Sequence, residues 1–250
     1  MGKKIPEVMK EERQRFIKGA IAKGFDEEVA AAVFDLIEPF AGYAFNKAHS
    51  VSYAMIAYQT AYLKANFPAE LMASVLSINT GQPEKIAAAV AECRRLGINV
   101  LPPDINHSQD VFTIERDDQG HRAVRFGLAA IKNVGASALK TVFAAREEGG
   151  AFSAIEDLCR RADLRAINRR MMESLIKAGA LDALGDRGSL LLGLDRILAL
   201  SQREQRMKET GQATMFDLWG QTQAVPLPGL DLPPSQVSPE ERLSWERDLM

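Results

Sequence analysis

The chain of 250 residues has few cysteines, few histidines and no long apolar run. Its two cysteines, Cys93 and Cys159, lie far apart and form no C-x-x-C pair, so two reduced thiols are the default and a zinc or redox site has weak support. No apolar run approaches the roughly 18 residues that a membrane-spanning helix needs. The charged N-terminal stretch MGKKIPEVMKEERQRF lacks the apolar core of a signal peptide. We therefore expect a cytoplasmic protein without a membrane partner.

The sequence also lacks the residue patterns of a catalytic or metal site. No Asp-x-Asp pair occurs, and no Ser-His-Asp or Cys-His constellation is evident. Acidic residues two apart do occur, but each pair has a plainer explanation in a predicted turn, in the charged terminus or at a helix start: Glu115 and Asp117, Glu246 and Asp248, Asp26 and Glu28. We predict no catalytic residue and no metal ligand within the chain.

Charge of one sign is not in excess either. The net charge of -2 argues against a chain that is basic throughout, although a local nucleic-acid site depends on charge distribution rather than on the total. Hydrophobic content of 46% and charged content of 26% are typical of a soluble globular protein of one or two domains.

Helical patterns fill the first 97 residues. Pro6 opens one helix, and Asp26 is a plausible N-cap of the next, with three apolar residues on one face: Val29, Val33 and Ile37. Two later stretches, PAELMASVLSINTG and PEKIAAAVAECRRLG, each begin with proline and end with glycine. The second has four apolar residues at helical spacing: Ile86, Val90, Cys93 and Leu96.

The period changes near residue 110. Phe112 and Ile114 alternate with polar residues, as do Val124 and Phe126 after the turn DDQG, which predicts a β-hairpin. Helical patterns return from Leu128 to about residue 200, and 210–239 is rich in Gly, Pro, Gln and Thr, as flexible connectors are. The expected fold class is mainly α with a small β element.

Two tight turns between helical stretches could bind phosphate. The first lies at Asn133–Gly135 and the second at Ala178–Gly179, and RRADLRAINRR (160–170) between them holds five arginines and one acid. Such turns can point backbone N–H groups at a phosphate and hold a duplex without reading its sequence. Glycine C-caps in a helical bundle, with the arginines on a solvated face, explain the same residues about equally well, because lone glycine motifs are weak signals.

A further cluster lies in AGYAFNKAHSVSYAMIAYQTAYLK (41–64), which holds all four tyrosines. Lys47 and His49 lie two apart at the start of a predicted helix. Taken alone, they fit a solvated lysine and a capping or core histidine. Tyr58 and Tyr62 are one helical turn apart, so we expect both to pack in a core, and Tyr53 as well.

Taken together, five stretches resemble the family of bacterial DNA polymerase III alpha subunits, the C-family replicative DNA polymerases. They are MGKKIPEVM, FAGYAFNKAHSVSYAMIAYQTAYLKANFPAELMASVL, GINVLPPDIN, FGLAAIKNVG and NRRMMESLIKAGALDALG. They occur in the family's order and at similar spacing, and they span almost the whole chain.

The resemblance implies four parts and a fragment of a longer polypeptide. Residues 1–127 look like the late part of the polymerase fingers domain with its β-hairpin, and 128–200 like a tandem helix-hairpin-helix module that binds duplex DNA. Residues 201–239 look like a flexible linker with a sliding-clamp-binding peptide, and 240–250 like the start of a truncated following domain.

The resemblance also implies roles for particular residues. Lys47 and His49 would contact the triphosphate of the incoming nucleotide. The DNA-binding residues would be Lys132, Asn133, Gly135, Arg169, Arg170, Lys177 and Gly179. The clamp-binding residues would be Gln212, Met215 and Phe216. Asn133 stands where the family usually has glycine, and we expect the turn to survive because asparagine tolerates left-handed backbone.

The implied activity requires residues outside the chain. Polymerase chemistry uses paired carboxylates that hold two Mg²⁺ ions, so we expect Mg²⁺ to bind elsewhere in a complete polymerase and the isolated chain to be inactive. The implied partners are primer–template duplex DNA, a deoxynucleoside triphosphate, the sliding clamp and other replication holoenzyme subunits. A stand-alone, non-enzymatic adaptor that tethers DNA to the clamp is the alternative, and a repair-nuclease accessory domain is a weaker third.

Overall fold

The structure, a computed structural model, describes residues 6–41, 47–210 and 229–250. These ranges are mainly helical with one small sheet, which confirms the predicted fold class. The helices are α1 (Pro6–Ile21), α2 (Glu27–Ile37), α3 (Lys47–Asn66), α4 (Pro68–Ile78), α5 (Pro83–Arg95), α6 (Ala136–Gly149), α7 (Ile155–Arg161), α8 (Arg169–Lys177), α9 (Arg187–Leu192), α10 (Leu194–Thr210) and α11 (Pro239–Leu249). The strands are β1 (Asn99–Leu101), β2 (Thr113–Arg116) and β3 (Arg122–Arg125).

Contacts divide the chain into two compact units, Met1–Tyr62 and Leu63–Met250. The hydrophobic core of the second unit is continuous from Ala69 to Ile197. The predicted functional boundary at 127/128 therefore lies inside one packed unit, and the four-part division stays a prediction about function.

In the first unit, α1 and α2 pack as a helical pair. The Asp26 carboxylate caps α2 by accepting the N–H of Glu28 at 2.8 Å, as predicted. The predicted apolar face of α2 is wrong, because Ala30 and Phe34 are buried, with the Phe34 ring 5.6 Å from Phe16. The residues expected on the buried face are exposed instead: Val29, Val33 and Ile37. The face of α2 that packs is therefore the one that carries the large Phe34 ring.

Helix α3 buries none of its residues within the described part of the chain. Tyr58 is 69% exposed and Tyr62 is 51% exposed, and Tyr53 is exposed as well, so the prediction that they pack in a core is wrong. Helical spacing identifies residues that share a face, whereas burial requires a second element that covers that face.

In the second unit, α5 confirms the helical pattern read from the sequence. Ile86 and Cys93 are buried, together with Ala89. Val90 and Leu96 are partly buried against the same core.

The sheet has the strand order β1-β3-β2. Strands β2 and β3 form the predicted antiparallel hairpin, with Ile114 opposite Val124. The Asp117 carboxylate accepts turn amides, including that of Gln119 at 3.0 Å, so this residue has a structural role. Strand β1, which pairs parallel to β3, was not predicted from the sequence. Three residues before Pro102 are too short a run to reveal an alternating pattern.

The two described ends of the predicted flexible connector are ordered, and residues 211–228 lie outside the described residues. Helix α10 continues to Thr210, and residues 229–238 include half-buried positions. Helix α11 begins with a capping box in which the Ser238 hydroxyl accepts the N–H of Glu241 at 3.2 Å and the Glu241 carboxylate accepts the N–H of Ser238. The S-x-x-E spacing was the signal available for this helix start. Among the described residues, no helix combines the length and apolarity needed to cross a membrane.

Candidate nucleic-acid interface

The first turn joins a short 3₁₀ segment, Leu128–Ala130, to α6. Asn133 has φ 69°, in the left-handed region that glycine adopts freely and asparagine tolerates. Its side-chain amide Nδ2 donates to Ser174 Oγ at 3.1 Å, which attaches the turn to α8. Asn133 thus adopts the left-handed backbone that was expected of it from the sequence, and its side chain fixes the turn.

The N-terminus of α6 is open. Gly135 is the N-cap residue and supplies no side-chain hydrogen bond. The backbone N–H groups of Ala136 and Ser137 have no acceptor among the described residues, and both residues are exposed. Lys132, four residues before α6, and Lys140, in its second turn, are both exposed. Unpaired amides at the positive end of a 14-residue helix, with two lysines nearby, favour an anion.

The five arginines of 160–170 do not form one basic surface. Arg161 packs inward, donating to the carbonyl of Ala145 at 2.6 Å and to that of Gly150 at 2.7 Å. Arg165 pairs with Asp163 at 2.6 Å, and its hydrogen bond is the main reason that the pKa of the Asp163 carboxyl is lowered. Two of the five are thus committed to structural contacts.

The remaining three arginines have fewer contacts within the chain and could bind a phosphate more readily. Arg169 pairs with Asp195, and both side chains are exposed. Neither Arg160 nor Arg170 forms an ion pair with a residue that the structure describes, and Arg170 is exposed. Arg169 and Arg170 begin α8 and Lys177 ends it, so they lie about 12 Å apart at 1.5 Å per residue.

The second turn, after α8, is filled rather than open. Lys177 Nζ lies 2.6 Å from a Glu173 carboxylate oxygen and 5.6 Å from the centre of the Trp245 ring. Gly179 has φ 84°, and a side-chain carbon there would collide with the Arg187 guanidinium. The role of Arg187 was not predicted from the sequence. An arginine within five residues of both Asp182 and Asp186 was the only local signal for it.

The proposed nucleotide-contacting residues begin α3. Lys47 and His49 are both exposed, and the Lys47 carbonyl accepts the Ser50 hydroxyl at 2.8 Å. The His49 ring lies 4.4 Å from the Tyr53 ring. The geometry leaves both side chains accessible, and their role stays a prediction.

The predicted clamp-binding residues, Gln212, Met215 and Phe216, lie outside the described residues. Within the described ranges, no group of three or more His, Cys, Asp or Glu side chains is arranged to hold a metal ion.

Comparison with known proteins identifies the relatives of this chain. A helix-hairpin-helix motif matches residues 97–191. The DNA polymerase III subunit alpha of Pasteurella multocida is 45% identical over 217 residues, which are 86% of this chain and 18% of that protein. The same subunit of Thermus aquaticus is 41% identical over 227 residues, 91% of this chain and 18% of that protein. That of Saccharopolyspora erythraea is 39% identical over 259 aligned positions, covering all of this chain and 21% of that protein.

The chain is homologous to one segment of the DNA polymerase III alpha subunits. It spans about a fifth of the length of the alpha subunits that it matches. The helix-hairpin-helix match begins at Gly97, just before β1, and ends within α9, so it contains both turns. The alpha-subunit relationship thus extends over both compact units, whereas the helix-hairpin-helix motif belongs to the second alone.

Proposed function

We propose that this chain binds the phosphate backbone of duplex DNA as one segment of a DNA-directed DNA polymerase. The observation that carries the proposal is the open N-terminus of α6, which lies inside the helix-hairpin-helix match. The homology to alpha subunits supports a replicative setting, with other subunits of a replication holoenzyme as partners.

Backbone amides and exposed lysines supply an electrostatic contact with phosphate. Contacts of this kind position a duplex without distinguishing its bases. Each phosphate that a protein cation neutralises releases counterions, so affinity falls as salt rises. Arg170 is the arginine of the 160–170 stretch that is best placed to add such a contact, since Arg169 is shared with Asp195.

The test is a salt titration of duplex affinity by fluorescence anisotropy, with two duplexes of unrelated sequence. Arg170→Ala should weaken binding to both duplexes equally and reduce the slope of log K against log salt by about 1. Arg169→Ala should have a smaller effect. Arg203→Ala removes a matched exposed charge from α10 and should leave the slope unchanged. An unchanged slope for Arg170→Ala removes that arginine from the interface, and absence of salt-dependent binding by the wild-type chain refutes the proposal.

Nucleotide positioning is the second part of the proposed role. In a complete polymerase, Lys47 would supply a positive charge and His49 a hydrogen-bond donor to triphosphate oxygens. The bond-making step would use carboxylates and Mg²⁺ that lie outside these 250 residues. Primer extension with Mg²⁺ and deoxynucleoside triphosphates should therefore give no product with this chain alone, and Mg²⁺-dependent extension would contradict this assignment.

Clamp attachment is the third part. Gln212, Met215 and Phe216 fit a short peptide that inserts two apolar side chains into a pocket while a glutamine orients it. The peptide follows α10, and after it the N–H of Leu230 donates to Glu156, so both flanks are attached to the second unit. Met215→Ala with Phe216→Ala should abolish clamp capture in a pull-down, whereas Gln223→Ala should not. Retained capture by the double variant would place the contact elsewhere.

A further inference from the structure

Residues 229–250, the C-terminal strap, run along the helix-hairpin-helix region and end beside the first turn. Leu232 packs against Gly193, and Ser235 and Val237 lie so close to Gly188 that a methyl group there would be 2.6 Å from the Ser235 hydroxyl. At the end of the strap, the Leu249 carbonyl accepts the N–H of Lys132 at 2.9 Å. The strap is therefore attached along its length.

The strap meets the second turn at Arg187. This side chain is 9% exposed, and its guanidinium donates to both carboxylate oxygens of Asp182, at 2.8 Å from Nε and 2.7 Å from Nη2. Its remaining nitrogen, Nη1, donates to Glu246 of α11 at 2.7 Å and to the carbonyl of Lys177 at 3.2 Å. One guanidinium thus joins the end of α8, the second turn and the strap.

The charges at the second turn are already neutralised within the chain. The Asp186 carboxylate accepts the N–H of Gly188 at 2.9 Å, and it also pairs with Arg242 of the strap at 2.9 Å. Lys177 is held by Glu173 and Trp245. An incoming phosphate would meet the carboxylates of Asp182 and Asp186 where the first turn presents open amides and lysines.

We propose that the second turn is the docking site of the C-terminal strap rather than a phosphate contact, with Arg187 as the residue that positions the strap. The two turns of the tandem motif then have different roles. The first meets DNA, a point that rests on the proposed function. The second fixes the strap to the module, a point that is independent of DNA.

Hydrogen exchange of the full chain tests the docking independently of DNA. Arg187→Ala should accelerate exchange of α11 amides at least tenfold more than exchange of α8 and α10 amides, and Arg187→Lys should restore part of the difference. If exchange of α8, α10 and α11 accelerates by the same factor, or if α11 is unchanged, Arg187 does not position the strap and the proposal fails.

Duplex binding tests the division of roles between the turns. Ala136 and Ala183 are both exposed, one at the first turn and one at the second. Ala136→Glu places a like charge beside the expected phosphate and should weaken binding about tenfold or more, whereas Ala183→Glu should leave it within about twofold. Equal weakening by both variants overturns the division. Absence of any binding by the wild-type chain refutes the proposed function instead, while the exchange result still decides whether Arg187 holds the strap.

Discussion

Replacing Arg187 by alanine should destabilise the second unit by about 2 kcal/mol. Removing one partner of a buried ion pair costs about 3–5 kcal/mol, because the remaining charge stays buried and unpaired. Here the remaining carboxylates are partly hydrated, since the Asp182 side chain is 46% exposed and that of Glu246 is 31% exposed. Water therefore compensates for part of the loss, and about 2 kcal/mol remains.

Urea unfolding followed by circular dichroism measures this free energy of unfolding. For a unit of this size, about 2 kcal/mol corresponds to a fall in Tm of about 4–8 °C. Arg187→Lys should lose about half as much, because an ammonium keeps the charge without the two-pronged hydrogen bond. Arg242→Ala removes a half-exposed pair with Asp186 and should cost at most about 1 kcal/mol. If Arg187→Ala unfolds at the same urea concentration as Arg242→Ala, the reasoning about the buried guanidinium is refuted.

Three further predictions concern other parts of the second unit. Hydrogen bonds from Arg95 and then Lys64 lower the pKa of Glu92 from 4.5 to about 2. The contribution of Glu92 to stability is therefore complete above pH 4.5 and is lost as the pH falls toward 2. Glu92→Gln should make the urea midpoint depend less on pH across that window, and an unchanged pH dependence would contradict the linkage. Burial raises the pKa of the Cys159 thiol to about 12, so it should not react with a disulfide reagent near pH 8 until guanidinium chloride unfolds the chain, and rapid native labelling would contradict its burial. Asn133→Ala should lower the free energy of unfolding in urea by about 2 kcal/mol, because of left-handed backbone strain and a lost hydrogen bond. Asn133→Gly should lower it clearly less, and equal losses would show that strain does not matter at this position.

Local signals in the sequence predicted much of the secondary structure. Pro68 and Pro83 stand at the starts of α4 and α5, Asp26 caps α2, and the alternation around DDQG marks the β2–β3 hairpin. Each of these features depends on residues within a few positions of one another. Local chemistry therefore suffices to predict them.

The errors arise where structure depends on distant residues. Periodicity groups Tyr58 with Tyr62 on α3, yet neither side chain is buried. The ion pair of Arg187 with Glu246 joins residues 59 positions apart, and no local sequence pattern predicts it. The same limit applies to the candidate interface, since the two turns resemble each other in sequence, and only the second forms side-chain ion pairs with the strap.

The salt dependence of duplex binding by the wild-type chain and by Ala136→Glu tests the central claim most directly. The logarithm of the wild-type binding constant should fall linearly with log salt, with a slope of about −0.9 for each phosphate contact. Ala136→Glu should bind more weakly at low salt with a shallower slope, because acidic residues at a helix N-terminus preserve folding while opposing an anion. Identical curves for the two proteins would contradict a phosphate contact at the first turn.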